Sequence, residues 1–127
     1  MKYVNAVGAI VLGLLVMVAL QRSPEPPDDT WFEHAVTRSS RPVLVKFGAD
    51  WCPPCRQTDA VLDHASGQIS GKVKVVRINI DEKPHLAAHY GIHGIPQVYL
   101  FREGRIIARH GGFVDPEQVK NWVDRSL

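Results

Sequence analysis

Cysteine is scarce: the 127 residues hold only Cys52 and Cys55. Two thiols are too few for a disulfide-stapled scaffold. A bridge across so short a spacing would also stabilise little, because a crosslink acts mainly by restricting long loops of the unfolded chain. An excess of one charge is missing too. The 15 Lys and Arg against 13 Asp and Glu leave a net +2, scattered along the chain, without the basic stripe or patch that nucleic-acid binding needs. There are no repeats, and no motif of a serine nucleophile or a phosphate-binding loop. The length allows one domain plus a tail, and 45% apolar with 22% charged residues describes a globular chain.

Only one long apolar run occurs, "YVNAVGAIVLGLLVMVAL" at Tyr3–Leu20, with Asn5 its single polar residue. It lies at the short edge for a spanning helix of roughly 20 residues and on the long side for a signal-peptide core. Residues 1–22 are therefore expected to be an uncleaved signal anchor, with a cleaved signal peptide as the alternative, since Met17-Val18-Ala19 is a poor cleavage site. No cysteine follows the run, so a lipoprotein anchor is excluded, and a run apolar on every face is no ordinary core helix. Lys2 on the cytoplasmic side would anchor the protein in the inner membrane, with its domain facing the periplasm; after cleavage it would be soluble there. "SPEPPDD", within residues 23–29, reads as a stiff, solvated linker.

Residues 30–127 carry the domain. "TWFE" from Thr30 has the form of a capping box and predicts a helix to about Arg38. "VLVKFGA" from Val43 predicts a central strand covered on both faces. A helix over Cys55–Ser66 follows, then a strand over Lys72–Ile80 and a short helix over Lys83–Gly91. A hairpin over Gln97–Gly112 turns at Glu103-Gly104. The last helix has Asp115 as N-cap, Pro116 next and Gln118 completing a second capping box. Strands separated by helices should pair parallel and the last two antiparallel, giving an α/β fold with a mixed sheet and helices on both faces.

This order places Cys52 directly after a central strand, where a helix begins. Free backbone N–H groups and the helix dipole there favour thiolate over thiol. Pro53 suits a first helical position, and Pro53 with Pro54 stiffens the loop between the sulfurs. Cys55 lies one turn on, within bridging reach and deeper. A metal half-site, a structural bridge and a redox couple all remain open on the pair alone. As a redox couple, an exposed Cys52 attacks and Cys55 resolves the mixed disulfide.

"FGADWCPPC", followed further along by "YGIHGIPQVYLF", resembles the thioredoxin family. The likeness covers about Thr30 to Leu127 and includes "VVRINID", "REGR" and Gly111. It implies a thioredoxin fold, a redox-active disulfide between Cys52 and Cys55, and a cis-proline at Pro96. It also implies a shallow substrate groove formed by Trp51, Pro53, Pro54, Gly94, Ile95, Gly111 and Gly112. The Ile95 backbone would be free to pair with an extended peptide. The implied activity is that of a protein-disulfide reductase, a thiol–disulfide oxidoreductase without cofactor or metal. It would act as a monomer on protein thiols and disulfides, recharged by a membrane electron-donor thiol reductase. Isoleucine before the proline resembles reducing members; oxidase and isomerase relatives more often have valine or threonine, and an oxidase or isomerase remains the alternative.

Four positions depart from the family pattern. Lys46 stands where a buried aspartate is usual, and is expected either to stabilise a thiolate or to pack its stem and reach water. Arg77 replaces a usual lysine, and Asp59, one turn beyond Cys55, is the candidate acid and proton relay. Gly48 replaces an aromatic and is expected to loosen the region. His85, His89 and His93 with the two cysteines raise a copper or zinc chaperone as a rival, although their spacing closes no tetrahedron. A non-catalytic binding module is the other rival, and such modules typically lose a cysteine.

Overall fold

Val43–Gly48 forms strand β1, buried along its whole length, as an apolar run with a single charge requires of an inner strand. The computed structural model describes residues 2–20 and 25–127. Its other strands are β2 (Lys74–Asn79), β3 (Gln97–Arg102) and β4 (Arg105–His110), and the sheet order is β2-β1-β3-β4. The helices are α1 (Lys2–Leu20), α2 (Thr30–Phe32, continuing as a π-helical stretch Glu33–Thr37), α3 (Pro53–Ile69), α4 (Pro84–His89) and α5 (Pro116–Ser126).

β1 and β2 are parallel and β3 and β4 antiparallel, as expected, but β3 joins β1 antiparallel. The six-residue α4 spans only about 9 Å, less than half of a six-residue strand of about 20 Å. The chain therefore does not return to the far end of the sheet. It re-enters where β2 left, so β1 and β2 end, and β3 starts, on the same edge. Glu103 and Gly104, with φ of 52° and 76°, form the expected β3–β4 turn.

Alternation along β1 divides the core. Val43, Val45 and Phe47 pack with Phe32, Tyr99 and Phe101 on one face, whereas Leu44 meets α3 and α5 through Leu62, Trp122 and Val123 on the other. Lys46 and Gly48 share the α3 face with Leu44. Tyr90 lies 5.5 Å from the Phe32 ring and 5.9 Å from Phe47, and burial pushes its phenol up to about 12.

Both capping expectations need correction. Asp29, not Thr30, caps α2, accepting a hydrogen bond from the Phe32 N–H at 2.8 Å, while Glu33 pairs with Arg38 at 2.7 Å. Asp115 does cap α5, but the Gln118 side chain reaches past it to accept from the Val114 N–H at 3.1 Å. Helix α3 runs through Gly67 to Ile69, beyond the expected Ser66.

Asp29 also accepts from Lys83 Nζ at 2.8 Å and contacts His85 Nε2 at 2.6 Å. The Lys83 hydrogen bond, then that of the Phe32 N–H, holds its carboxyl well below the usual carboxylate range, against the opposing effect of burial. Because the folded state lowers this group, its stabilisation is complete above the unfolded value near 4. It is lost as pH falls through the folded value. Asp29→Ala should cost about 1 kcal/mol in cap energy alone and flatten the acid limb of stability, as urea unfolding at stepped pH will show. Pro27 is buried and its carbonyl accepts from the Asp29 N–H at 2.9 Å. The end of the expected linker is thus built into the domain; residues 23 and 24 lie outside the described residues, as do 1, 21 and 22 of the expected anchor.

The apolar run does form a helix, α1, but the anchor expectation is corrected. Nineteen helical residues measure about 28 Å, under the roughly 30 Å of a bilayer core. Among the described residues no helix is long and apolar enough to cross a membrane. The inner-membrane, periplasm-facing placement built on that anchor falls with it.

Candidate active site

β1 delivers the chain through Ala49, Asp50 and Trp51 to Cys52, which N-caps α3 with extended backbone, φ −96° and ψ 107°. Pro53 can occupy the first turn because no helical acceptor awaits its missing N–H. Cys52 and Cys55 are joined as a disulfide, with Cα atoms 5.2 Å apart. Cys52 Sγ accepts the Cys55 backbone N–H at 3.3 Å. On reduction that N–H and the positive end of a 17-residue helix face the Cys52 sulfur, conditions that favour a thiolate. The exposed Cys52 expected from sequence is instead 4% accessible in this disulfide form, against 0% for Cys55. Ala49 and Ile95 pack over the pair.

The loop before β3 returns to the same edge. The Ile95–Pro96 bond is cis, Pro96 is buried and Ile95 half-buried, and the Ile95 carbonyl oxygen lies 3.9 Å from Cys52 Sγ. Trp51, Pro53, Pro54, Gly94 and Gly111 are exposed around this point. The two glycines after β4 differ. Nothing lies within 4 Å of where a Gly111 side chain would begin, whereas at Gly112 (φ 111°) a Cβ would stand 2.7 Å from Pro96 Cγ and 3.1 Å from Thr58 Oγ1.

Lys46 is 5% exposed, so its amine does not reach open water as the packing alternative required. Nζ stands 2.9 Å from each Asp59 oxygen, and Arg77 Nε approaches Asp59 Oδ1 at 3.4 Å while its Nη2 pairs with Asp63 at 2.6 Å. The contacts to Oδ1 are ion pairs by distance but not aligned hydrogen bonds. Gly48 does not loosen the region: its missing side chain is replaced by the Lys46 amine, which a Cβ there would meet at 2.8 Å. Lys46, Asp59 and Arg77 line a cleft of about 400 Å³ that also reaches Gly48, next to Cys55, though neither cysteine lines it. A larger cleft, about 680 Å³, lies between Tyr90, Phe101 and Arg109 and shares no residue with the redox site.

His85 is engaged with Asp29, His89 stacks edge-on with Tyr90 at 4.8 Å, and His93 is exposed. Among the described residues no group of three His, Cys, Asp or Glu is placed to hold a metal ion.

Sequence reasoning missed two supports. Asp81 accepts from Trp51 Nε1 at 2.9 Å, fixing an indole that is 65% exposed. Thr58 Oγ1 accepts from the Phe113 N–H at 3.1 Å beneath the proline loop. Both follow from tertiary closure; the only local signal was a threonine on the buried stripe of α3.

The Thioredoxin family model matches residues 25–125, which leaves α1 outside. The chain is 37% identical over 99 residues to thioredoxin of Rickettsia felis, covering 78% of this chain and 94% of that one. It is 41% identical over 99 residues to thioredoxin 1 of Synechococcus elongatus, covering 78% and 92%. It is 45% identical over 80 residues to thioredoxin of Thiocapsa roseopersicina, covering 63% and 88%. These relatives give no support to a periplasmic placement, anchored or released. A bridged Cys52–Cys55 pair at a helix start, in a mixed four-stranded sheet and under a match spanning most of the sequence, makes this chain a member of the thioredoxin family and a thiol–disulfide oxidoreductase.

Proposed function

We propose that the chain reduces disulfides of other proteins, with Cys52 as nucleophile and Cys55 as resolving thiol. The Cys52 thiolate attacks one substrate sulfur; the other leaves with the bonding pair as a thiolate, and a mixed disulfide forms. Cys55, as thiolate, then attacks Cys52 Sγ and the second substrate sulfur leaves. Two electrons have passed to the substrate, and the chain is left as the disulfide described above. A second dithiol protein must return it to the reduced form; no other cofactor is required.

The observation that carries this reading is the position of Cys52 Sγ, which receives the Cys55 N–H at 3.3 Å and faces the Ile95 carbonyl at 3.9 Å. An extended substrate strand laid along Ile95, against Pro96, would bring its own disulfide to that sulfur while pairing with the exposed backbone. Trp51, held by Asp81, and Pro53, Pro54, Gly94, Gly111 and Gly112 border the strand's path. Small residues there admit a peptide backbone closely.

Reduction of insulin disulfides by dithiothreitol tests the direction. Catalytic amounts of the full chain should accelerate it severalfold or more. The opposite result is no acceleration, together with rapid formation of disulfides in a reduced, unfolded protein by the oxidised chain. That outcome would assign the chain as an oxidant.

A further inference from the structure

Nothing in the reduction sequence above says how Cys55, the more buried thiol, becomes a thiolate. The strand position at which a carboxylate would take its proton holds a lysine. The Lys46 amine and the Cys55 sulfur nevertheless share one small space. Both lie around the point where a Gly48 Cβ would be, Nζ at 2.8 Å and Cys55 Sγ at 3.3 Å from it. Any side chain at position 48 would push the amine away, so glycine here and lysine two residues earlier are complementary. Asp59, one helical turn after Cys55, fixes the amine through both carboxylate oxygens.

We infer that Lys46 is the counter-charge of the Cys55 thiolate and that Asp59 positions it. This rests on the dithiol chemistry proposed above. When Cys52 is held in a mixed disulfide, the ammonium stabilises the negative sulfur of Cys55, which attacks Cys52 Sγ as the substrate sulfur departs with the bonding pair. The Cys55 proton passes to solvent by way of the polar cleft that Gly48 and Lys46 line beside it. In this inference Asp59 is assigned the positioning role rather than that of proton relay, as its carboxylate pairs with both Lys46 and Arg77. The charged groups facing this space are Asp59 from α3 and Arg77 from β2, with Asp50, Arg56 and Glu82 farther around the cleft; Val98, opposite Lys46 on β3, is apolar. The same ammonium stabilises the reduced form of the chain and so makes it a weaker reductant than it would be without the lysine.

The test uses the full chain with Cys52→Ser, leaving Cys55 as the only thiol, and follows thiolate ultraviolet absorbance against pH. Adding Lys46→Met should lower the acid constant of Cys55 at least about tenfold, as loss of an opposite charge at close range does. Adding Asp59→Asn instead should raise it, since only a negative neighbour is removed. A Lys46→Met/Asp59→Ala pair removes both charges and avoids leaving an unpaired acid; in the Cys52→Ser background it too must ionise at higher pH than the parent. An unchanged titration in the lysine variants, or a lowered acid constant in Asp59→Asn, overturns the inference. Insulin reduction by the wild-type chain is read separately. If turnover is present and the titrations do not move, Lys46 alone has lost its role. If turnover is absent, the dithiol reading itself has failed.

Discussion

Cys52→Ser is expected to take disulfide turnover to the uncatalysed rate, whereas Cys55→Ser should keep the first chemical step and stall after it. The asymmetry follows from their placement at the start of α3. Cys52 caps the helix, receives the Cys55 N–H and faces the Ile95 carbonyl. Cys55 is sealed beneath Ala49 and Ile95 with no accessible surface. A substrate sulfur can therefore approach Cys52, while Cys55 meets only Cys52. With Cys55→Ser the mixed disulfide has no resolving thiol and should accumulate in a one-to-one adduct. Mass spectrometry of the unreduced reaction mixture will detect it, and reductant will release it. An adduct in Cys52→Ser instead, with none in Cys55→Ser, would reverse the roles assigned here.

Gly112→Val should be the most damaging substitution outside the cysteines, and Gly111→Ala beside it nearly silent. At Gly112 a φ of 111° strains any side chain, and a Cβ would stand 2.7 Å from the Pro96 ring. Backbone strain of about 1–3 kcal/mol and overpacking of about 1–3 kcal/mol together predict a loss of about 2–6 kcal/mol. The ring that must move directly follows Ile95, whose carbonyl faces Cys52 Sγ, so turnover should fall along with stability. Gly111 is exposed, has no atom within 4 Å of its would-be Cβ and does not have the left-handed backbone of its neighbour. Urea unfolding of the two variants gives the contrast directly, as a large fall in midpoint for one and almost none for the other.

That contrast also marks what the sequence could reveal. Both glycines were placed on the groove by the family resemblance, and local pattern offers no means of separating them. Only the approach of Pro96 and Thr58, which begin far away in the chain, distinguishes the pair. The strand β1 was legible because its run of apolar residues needs cover on both faces, and the helix after Cys52 because its buried stripe recurs with helical spacing. The antiparallel entry of β3 was not, since it depends on α4 being too short to carry the chain back along the sheet. The cap on α2 fell one residue from the expected place because Asp29 is fixed from outside its own helix, by Lys83 and His85. From sequence, Asp59 read as the acid needed by the neighbouring cations Lys46 and Arg77, while Gly48 read as a separate departure from the family pattern. In the fold they become one arrangement, in which the absent side chain makes room for the amine and the acid holds it. At the N-terminus the apolar character of Tyr3–Leu20 was read correctly as helix-forming, but its length is marginal, and length decides whether such a helix spans a bilayer.

The reduction potential of the full chain, equilibrated with glutathione at neutral pH, tests the central claim most directly. A protein-disulfide reductase built on Cys52 and Cys55 predicts a value near or below about −220 mV, towards the reducing end of the family of dithiol folds. A value near about −120 mV, where the reduced form is strongly favoured, would contradict it and make the chain a disulfide donor.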